Sequence, residues 1–270
     1  MAIGGQNTAL KKRKGAKKQI DPFLRKEWYA IKAPTYFAKR VVGVVPVTKT
    51  TGQKTARDSL IGRVIELPVA DLAGKGDEFR KFSLKVDDVQ GVQCLTSFHG
   101  MDFTTDKIRS LVKKRQDIVE AVQDVKTSDG YHLRVFVTGF TKRQIGQKRA
   151  STYAQRAHHE KLRRRTQQLI LRELNNVDIA TLVTKAASEV IGTQVQKISR
   201  GIFPLQNVFT RKIKVVRAPK GDAGRLMELH GGVEAIMQFQ REFEASNNAA
   251  PADEAAAVEA EVEVEEILAE

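Results

Sequence analysis

Only one cysteine, Cys94, stands in the 270 residues, so no intramolecular disulfide can close and no cysteine-based zinc site can be built. A reducing compartment is the expectation. No stretch approaches the apolar run of about 20 residues that spans a bilayer. The basic segments also lack the dense leucine or aromatic face of an interfacial helix, so no membrane partner is expected. The N-terminus is polar and charged, without the apolar core of a signal peptide, which points to an intracellular protein. Cations are missing from residues 242–270, which hold ten acids and no Lys or Arg. The net charge of +14 therefore understates the remainder: residues 1–241 carry 46 basic against 22 acidic groups, or +24. A body that basic calls for an acidic partner, and nucleic acid fits better than a small substrate.

Catalytic constellations are missing as well. Gly74-Lys75 is no phosphate-binding loop, since Val69 stands where its first glycine belongs and Gly76 where Ser or Thr belongs. Ser97 and Ser151 sit in no nucleophile elbow. His158-His159 are neighbours, about 100° apart on a helix, and cannot converge on a metal as an i, i+4 pair can; a pair facing solvent or RNA is expected. His99 with Asp102 and Asp106 has no accompanying nucleophile. Cys94 reads as a small buried hydrophobe. No catalytic residue, metal ligand or cofactor is assigned.

What the chain does have is a basic stretch from Phe140 to Asn176, reading as a loop feeding a long helix over about 150–175. Between Thr141 and Arg165 it carries Lys142, Arg143, Lys148, Arg149, Arg156, Lys161, Arg163, Arg164 and Arg165, with Glu160 the only acid. Like charges at that density repel unless a polyanion lies alongside, and phosphates release counterions when Lys or Arg neutralises them. Its first half lacks an apolar stripe, whereas Leu169, Ile170, Leu171 and Leu174 can grip a core. Residues Gln167–Asn175 are therefore expected to dock, and Thr141–Arg165 to project. A second basic cluster, Lys11, Lys12, Arg13, Lys14, Lys17 and Lys18, lies in an N-terminal segment with too few apolar groups to offset its ordering entropy.

Three parts follow: a basic extension (1–20), a core (21–245) and an acidic tail (246–270), with both tails expected to be disordered. Within the core, Asp21-Pro22 opens a helical turn through Phe23, Leu24, Trp28 and Tyr29. Two readings are open to Trp28. It can stack on a base, or dock onto the core, which its helical spacing with Phe23 and Leu24 favours. Strands are expected at 40–48, with Pro46 marking an edge, and at 63–72, 79–89 and 93–98. A helix follows over Thr104–Arg115, carrying Ile108, Leu111 and Val112. Asp117–Lys126 and Tyr131–Phe140 form a hairpin about Thr127–Gly130. Asp178–Val190 is a core-facing helix, with another to Ser199. The last strand, Asn207–Arg217, turns Phe209, Ile213 and Val215 inward; Asp222 then caps a helix with Leu226 and Leu229, which Gly231-Gly232 interrupts before Val233–Phe243. Strands in runs favour α+β, a β-rich barrel-like or strongly twisted sheet flanked by helices.

The block FRKFSLKVDDVQGVQCLTSFHGMDFTTDKIRSLVKKRQ followed by DVKTSDGYHLRVFVTGFTKR closely resembles the archaeal–eukaryotic small-subunit ribosomal protein family called S-three-a, or e-S-one. Agreement continues through Ser151–Gln155, Ile202–Leu205, Val208–Ile213 and Leu226–Gly231, covering roughly residues 20–235. The resemblance implies a non-enzymatic protein of the small-subunit platform near the mRNA exit, cytoplasmic on the ribosome with assembly begun in the nucleolus. Implied partners are small-subunit ribosomal RNA and neighbouring platform proteins, with mRNA and initiation factors as further contacts. Two rivals stay open, an extraribosomal RNA-binding adaptor and an RNA-processing enzyme.

Overall fold

Strand β5 (Gln93–Phe103) is the branch point of the sheet, because one of its edges is shared by two partners. In a computed structural model, which describes residues 21–50, 52, 54–74, 78–221, 223–232, 237 and 241, its other edge pairs antiparallel with β4 (Arg80–Gln90) along the full length. At its start it runs parallel to β1 (Lys26–Lys32), and at its end antiparallel to β8 (Leu205–Arg217). Beyond β1 lies β2 (Val41–Thr48), beyond β4 lies β3 (Val64–Pro68), and β8 leads to β7 (His132–Thr141) and β6 (Ile118–Lys126). The result is an α+β fold on one branched, mixed, eight-stranded sheet.

The strand expected at 93–98 runs on to Phe103, and Gly100 makes this possible. A Cβ there would lie 2.9 Å from the Ile213 carbonyl oxygen, so only glycine lets β8 approach. The β4 alternation holds, with Phe82, Leu84 and Val86 buried. The hairpin β6–β7 also forms as expected, with Leu133, Val135 and Val137 inward.

Seven α-helices are described: α1 (Ala56–Leu60), α2 (Val69–Ala73), α3 (Thr105–Leu111), α4 (Arg156–Leu174), α5 (Ile179–Ala187), α6 (Val190–Ser199) and α7 (Ala223–Leu229). The main core lies between the sheet and α4–α6, through Leu133, Val135, Ile170, Leu174, Leu182 and Ile191. A smaller core of Val47, Leu60, Val86, Val89 and Cys94 fills the curl of β1–β5 under α1. Arg63 Nη1 bridges the gap between β3 and β2 by donating to the Pro46 carbonyl at 3.3 Å. Asp129, in the hairpin turn, accepts the Ile179 amide at the start of α5 (2.7 Å) and pairs with Arg225 of α7 (2.6 Å).

Six expectations need correction. The helix expected over Thr104–Arg115 ends at Leu111, with Val112 already extended, and the one expected over Asp178–Val190 ends at Ala187, before the left-handed Glu189. The helical turn at Asp21 is a short 3-10 turn, Pro22–Arg25, and Trp28 belongs to β1, opposite Pro46, where it stays 47% exposed instead of docking. The strand at 63–72 stops at Pro68, where α2 begins. Phe209 does not share the face of Ile213: the register of β8 shifts between Thr210 and Lys212, so Val208 and Thr210 are buried. Phe209 packs on Phe79 and Phe103 instead. The helix expected from about 150 begins at Arg156, because Thr152 is held in a bridge with Gln116 and the Ala154 amide donates to Asp117 at 2.9 Å. The basic extension, Asp222, the bulk of Val233–Phe243 and the acidic tail lie outside the described residues.

Candidate nucleic-acid interface

Helix α4 presents three faces, and each does different work. Leu162, Thr166, Leu169, Ile170 and Leu174 are buried, so the helix is docked from Leu162 and not only from Gln167 as its sequence suggests. A second face runs along β6, the last strand of the sheet. Arg163 Nε donates to the Glu120 carbonyl at 3.2 Å, and Gln167 Nε2 to the Val122 carbonyl at 3.1 Å. Four helical residues rise about 6 Å, close to the span of two strand residues. Side chains at 163 and 167 thus meet carbonyls at 120 and 122. Unpaired carbonyls of an edge strand are a template for aggregation, and these two are covered. His159 Nε2 lies 3.2 Å from the Asp117 carboxylate and the His158 ring leans on Phe203, so the histidine pair faces protein rather than solvent or RNA.

The third face points away from the sheet. Lys161, Arg165, Gln168 and Arg172 fall at i, i+4, i+7 and i+11, a continuous stripe with Arg164 beside it. Helix α6 runs next to this stripe and contributes Gln194 and Ile198. Between the helices lie two adjoining open depressions of about 660 and 460 Å³, both bordered by Arg165, Gln168 and Ile198. Together they form a shallow groove with Lys161 and Arg164 towards one end and Arg172 at the other. Helix α6 can lie so near β8 because residue 192 is glycine: a Cβ there would come within 2.3 Å of the Val208 carbonyl oxygen.

Charge in the groove is one-sided. Arg164 pairs with Glu160 at 2.7 Å, both well exposed, and Glu173 at the far end is engaged by Lys185 at 3.2 Å. Among the described residues, Lys161, Arg165 and Arg172 form no ion pair. Three cations that face one open channel, while the bordering acids Glu160 and Glu173 are paired with other cations, form an arrangement suited to a chain of phosphates.

The basic loop before α4 is built around Gln147. Its Nε2 donates to the carbonyls of Arg149 (3.1 Å) and Ser151 (2.7 Å), and its own carbonyl accepts from Arg143 (2.9 Å). Lys142, Arg143, Lys148 and Arg149 are left exposed around a fully exposed Ile145. The Lys142 amide donates to the Pro204 carbonyl at 2.9 Å, tying the loop to the segment that closes one end of the groove.

Of the cations singled out in the sequence, Lys161, Arg164 and Arg165 meet in the groove. Arg156 is exposed at the first turn of α4, and Arg163 is turned towards β6. Lys11, Lys12, Arg13, Lys14, Lys17 and Lys18 lie outside the described residues. Arg172 was not singled out, although its spacing from Lys161 and Arg165 carried the signal. Gln194 and Ile198 had none, because only the packing of α6 brings them there.

Elsewhere, no three His, Cys, Asp or Glu side chains converge as metal ligands among the described residues. Asp102 is paired with Lys212 at 2.8 Å rather than with His99. Cys94 is buried, which pushes its thiol up to about 11. No described helix is long and apolar enough to cross a membrane.

The sequence profile of the Ribosomal S3Ae family matches residues 14–219, about three quarters of the chain, covering the whole branched sheet and α1–α6. Its proteins are structural rather than enzymatic, work in the cytoplasmic ribosome, and have ribosomal RNA and ribosomal proteins as partners. The chain belongs to the Ribosomal S3Ae family and is a component of the small ribosomal subunit.

Proposed function

We propose that this protein grips ribosomal RNA in the groove between α4 and α6 and is thereby anchored on the platform of the small subunit, near the mRNA exit. The observation that carries the reading is the stripe Lys161, Arg165 and Arg172, which faces an open channel and forms no ion pair among the described residues. Arg can hold a phosphate through two parallel N–H bonds, and Arg164 beside the stripe adds a further donor. Lys142, Arg143, Lys148, Arg149 and Arg156 extend the contact along the loop and the first turn of α4. Residues 1–20, with Lys11, Lys12, Arg13, Lys14, Lys17 and Lys18, act as a second strap on the core of 21–245. Contacts of this kind fix position and orientation; A-form RNA offers shape, 2′-hydroxyls and phosphates rather than a readable base code.

On the platform the protein supports assembly, which begins in the nucleolus, and meets neighbouring platform proteins, mRNA and initiation factors. Sedimentation in high salt tests the placement. The native protein stays with small subunits if the reading is right, and runs free if it is wrong. The ten acids of residues 242–270 favour one second reading, an extraribosomal RNA-binding adaptor that recruits proteins through the acidic tail. Deleting residues 246–270 then removes a protein partner and leaves RNA binding intact.

A further inference from the structure

Trp28 is the only tryptophan in the chain, and it sits on the outer face of the β1–β2 hairpin, directly across from Pro46. Val44, opposite Ala30, is exposed on the same face, and Phe23 and Leu24 are exposed on the 3-10 turn that leads into β1. A half-exposed tryptophan with a further exposed apolar residue on its own face, on a protein with a +24 body, marks a surface suited to a partner.

Three features decide its chemistry. First, the surrounding charge is positive: Lys26 shares the Trp28 face two residues earlier, and Arg25 and Lys49 meet at the hairpin end, where the Lys49 amide donates to the Arg25 carbonyl at 3.1 Å. Second, the neighbouring acids are occupied. The Asp21 carboxylate accepts the Phe23 amide at 2.9 Å, and Glu27, on the opposite face, accepts from the Tyr29 hydroxyl at 3.3 Å. Third, the outer edge of β2 is a poor ladder for a partner strand. Pro46 has no amide hydrogen, and its carbonyl is taken by Arg63. Residues 1–20, with six cations and no acid, join the fold next to this face at Asp21.

An exposed aromatic ring on a strand flanked by cations is the arrangement that stacks unpaired bases while the cations follow the backbone. We infer that the Trp28 face is a second RNA site, separate from the α4–α6 groove, which binds single-stranded RNA by stacking a base on Trp28. The inference rests on RNA being the partner, and it adds both the site and the requirement for unpaired bases.

Because the chain has one tryptophan, its emission reports on this face alone. A short oligouridylate titrated into the full-length protein quenches that emission, and a blunt RNA duplex does not. Trp28→Ala weakens binding of an end-labelled oligouridylate roughly tenfold, whereas Trp28→Phe keeps most of it. The variant with Lys161, Arg165 and Arg172 all changed to Ala loses duplex binding but retains the quenching, which separates the two sites. If oligouridylate binds with Trp28 emission unchanged, or duplex quenches as strongly as single strand, the stacking site is wrong while the groove stands. Emission that responds only to an added ribosomal protein also overturns it, and makes this face a protein contact.

Discussion

Arg80 Nη2 donates to the Glu189 carboxylate at 2.6 Å, joining β4 to the junction between α5 and α6. The same guanidinium donates to the carbonyls of Ala186 and Ala187, two of the unpaired acceptors at the end of α5. Glu189 in turn accepts the Thr210 amide of β8 at 3.2 Å, and its own backbone is left-handed at φ 51°. One ion pair thus fixes the junction between α5 and α6, the helix that forms one wall of the groove. Removing one partner of such a pair strands the other charge and costs about 3–5 kcal/mol. Arg80→Ala is expected at that level in urea unfolding, and Arg80→Lys rescues little, since an ammonium cannot reproduce the planar fork.

The two neighbouring arginines of α4 should separate in their effects. Arg163→Ala uncovers the Glu120 carbonyl at the sheet edge and lowers stability by about 1 kcal/mol, with little change in RNA affinity. Arg165→Ala leaves stability within about 0.5 kcal/mol and weakens RNA binding. Thermal unfolding and RNA titration of both single variants check the contrast.

Gly192→Ala forces a Cβ against the Val208 carbonyl oxygen and drives α6 off β8. Overpacking of this kind costs about 1–3 kcal/mol. Because α6 forms one wall of the groove, RNA binding is expected to fall together with the unfolding midpoint.

His230 introduces a pH dependence. It is fully buried with Nε2 2.9 Å from the Thr96 carbonyl, and burial pushes its pKa down to about 4. An unfolded histidine titrates near 6.5, so between those values the unfolded chain binds the extra proton. Stability conferred by neutral His230 is therefore complete above about pH 6.5 and is lost as pH falls towards 4, by roughly 3 kcal/mol in total. The adjoining Leu229 carbonyl accepts the Thr35 amide at 2.9 Å, and exchange of that amide should accelerate over the same interval. His230→Gln is expected to flatten the slope.

How far these features could be read beforehand depended on whether their causes were local. Strands β4, β6 and β7 and helix α5 announce themselves because burial on one face writes its period into neighbouring residues. Strand β1 does not. Phe23, Leu24 and Trp28 have helical spacing, and what makes 26–32 a strand is its pairing with β2 and with the distant β5. The shift in β8 likewise reverses the faces of Val208 and Phe209 through partners on β7. In the interface, the concentration of charge was legible and its sorting was not. Arg163 and Arg165 look alike in the chain, and only the carbonyl of Glu120 tells them apart. Arg172 was within reach of a stripe argument, whereas the α6 wall depends on a glycine whose role appears only beside Val208.

The central claim is that the α4–α6 groove takes phosphates, and the salt dependence of RNA binding tests it most directly. Each phosphate contact contributes about 0.7–0.9 to the slope of log affinity against log salt. Replacing Lys161, Arg165 and Arg172 together by Ala should lower that slope by roughly 2–3, with unfolding little changed. A slope equal to that of the unaltered protein would contradict the account.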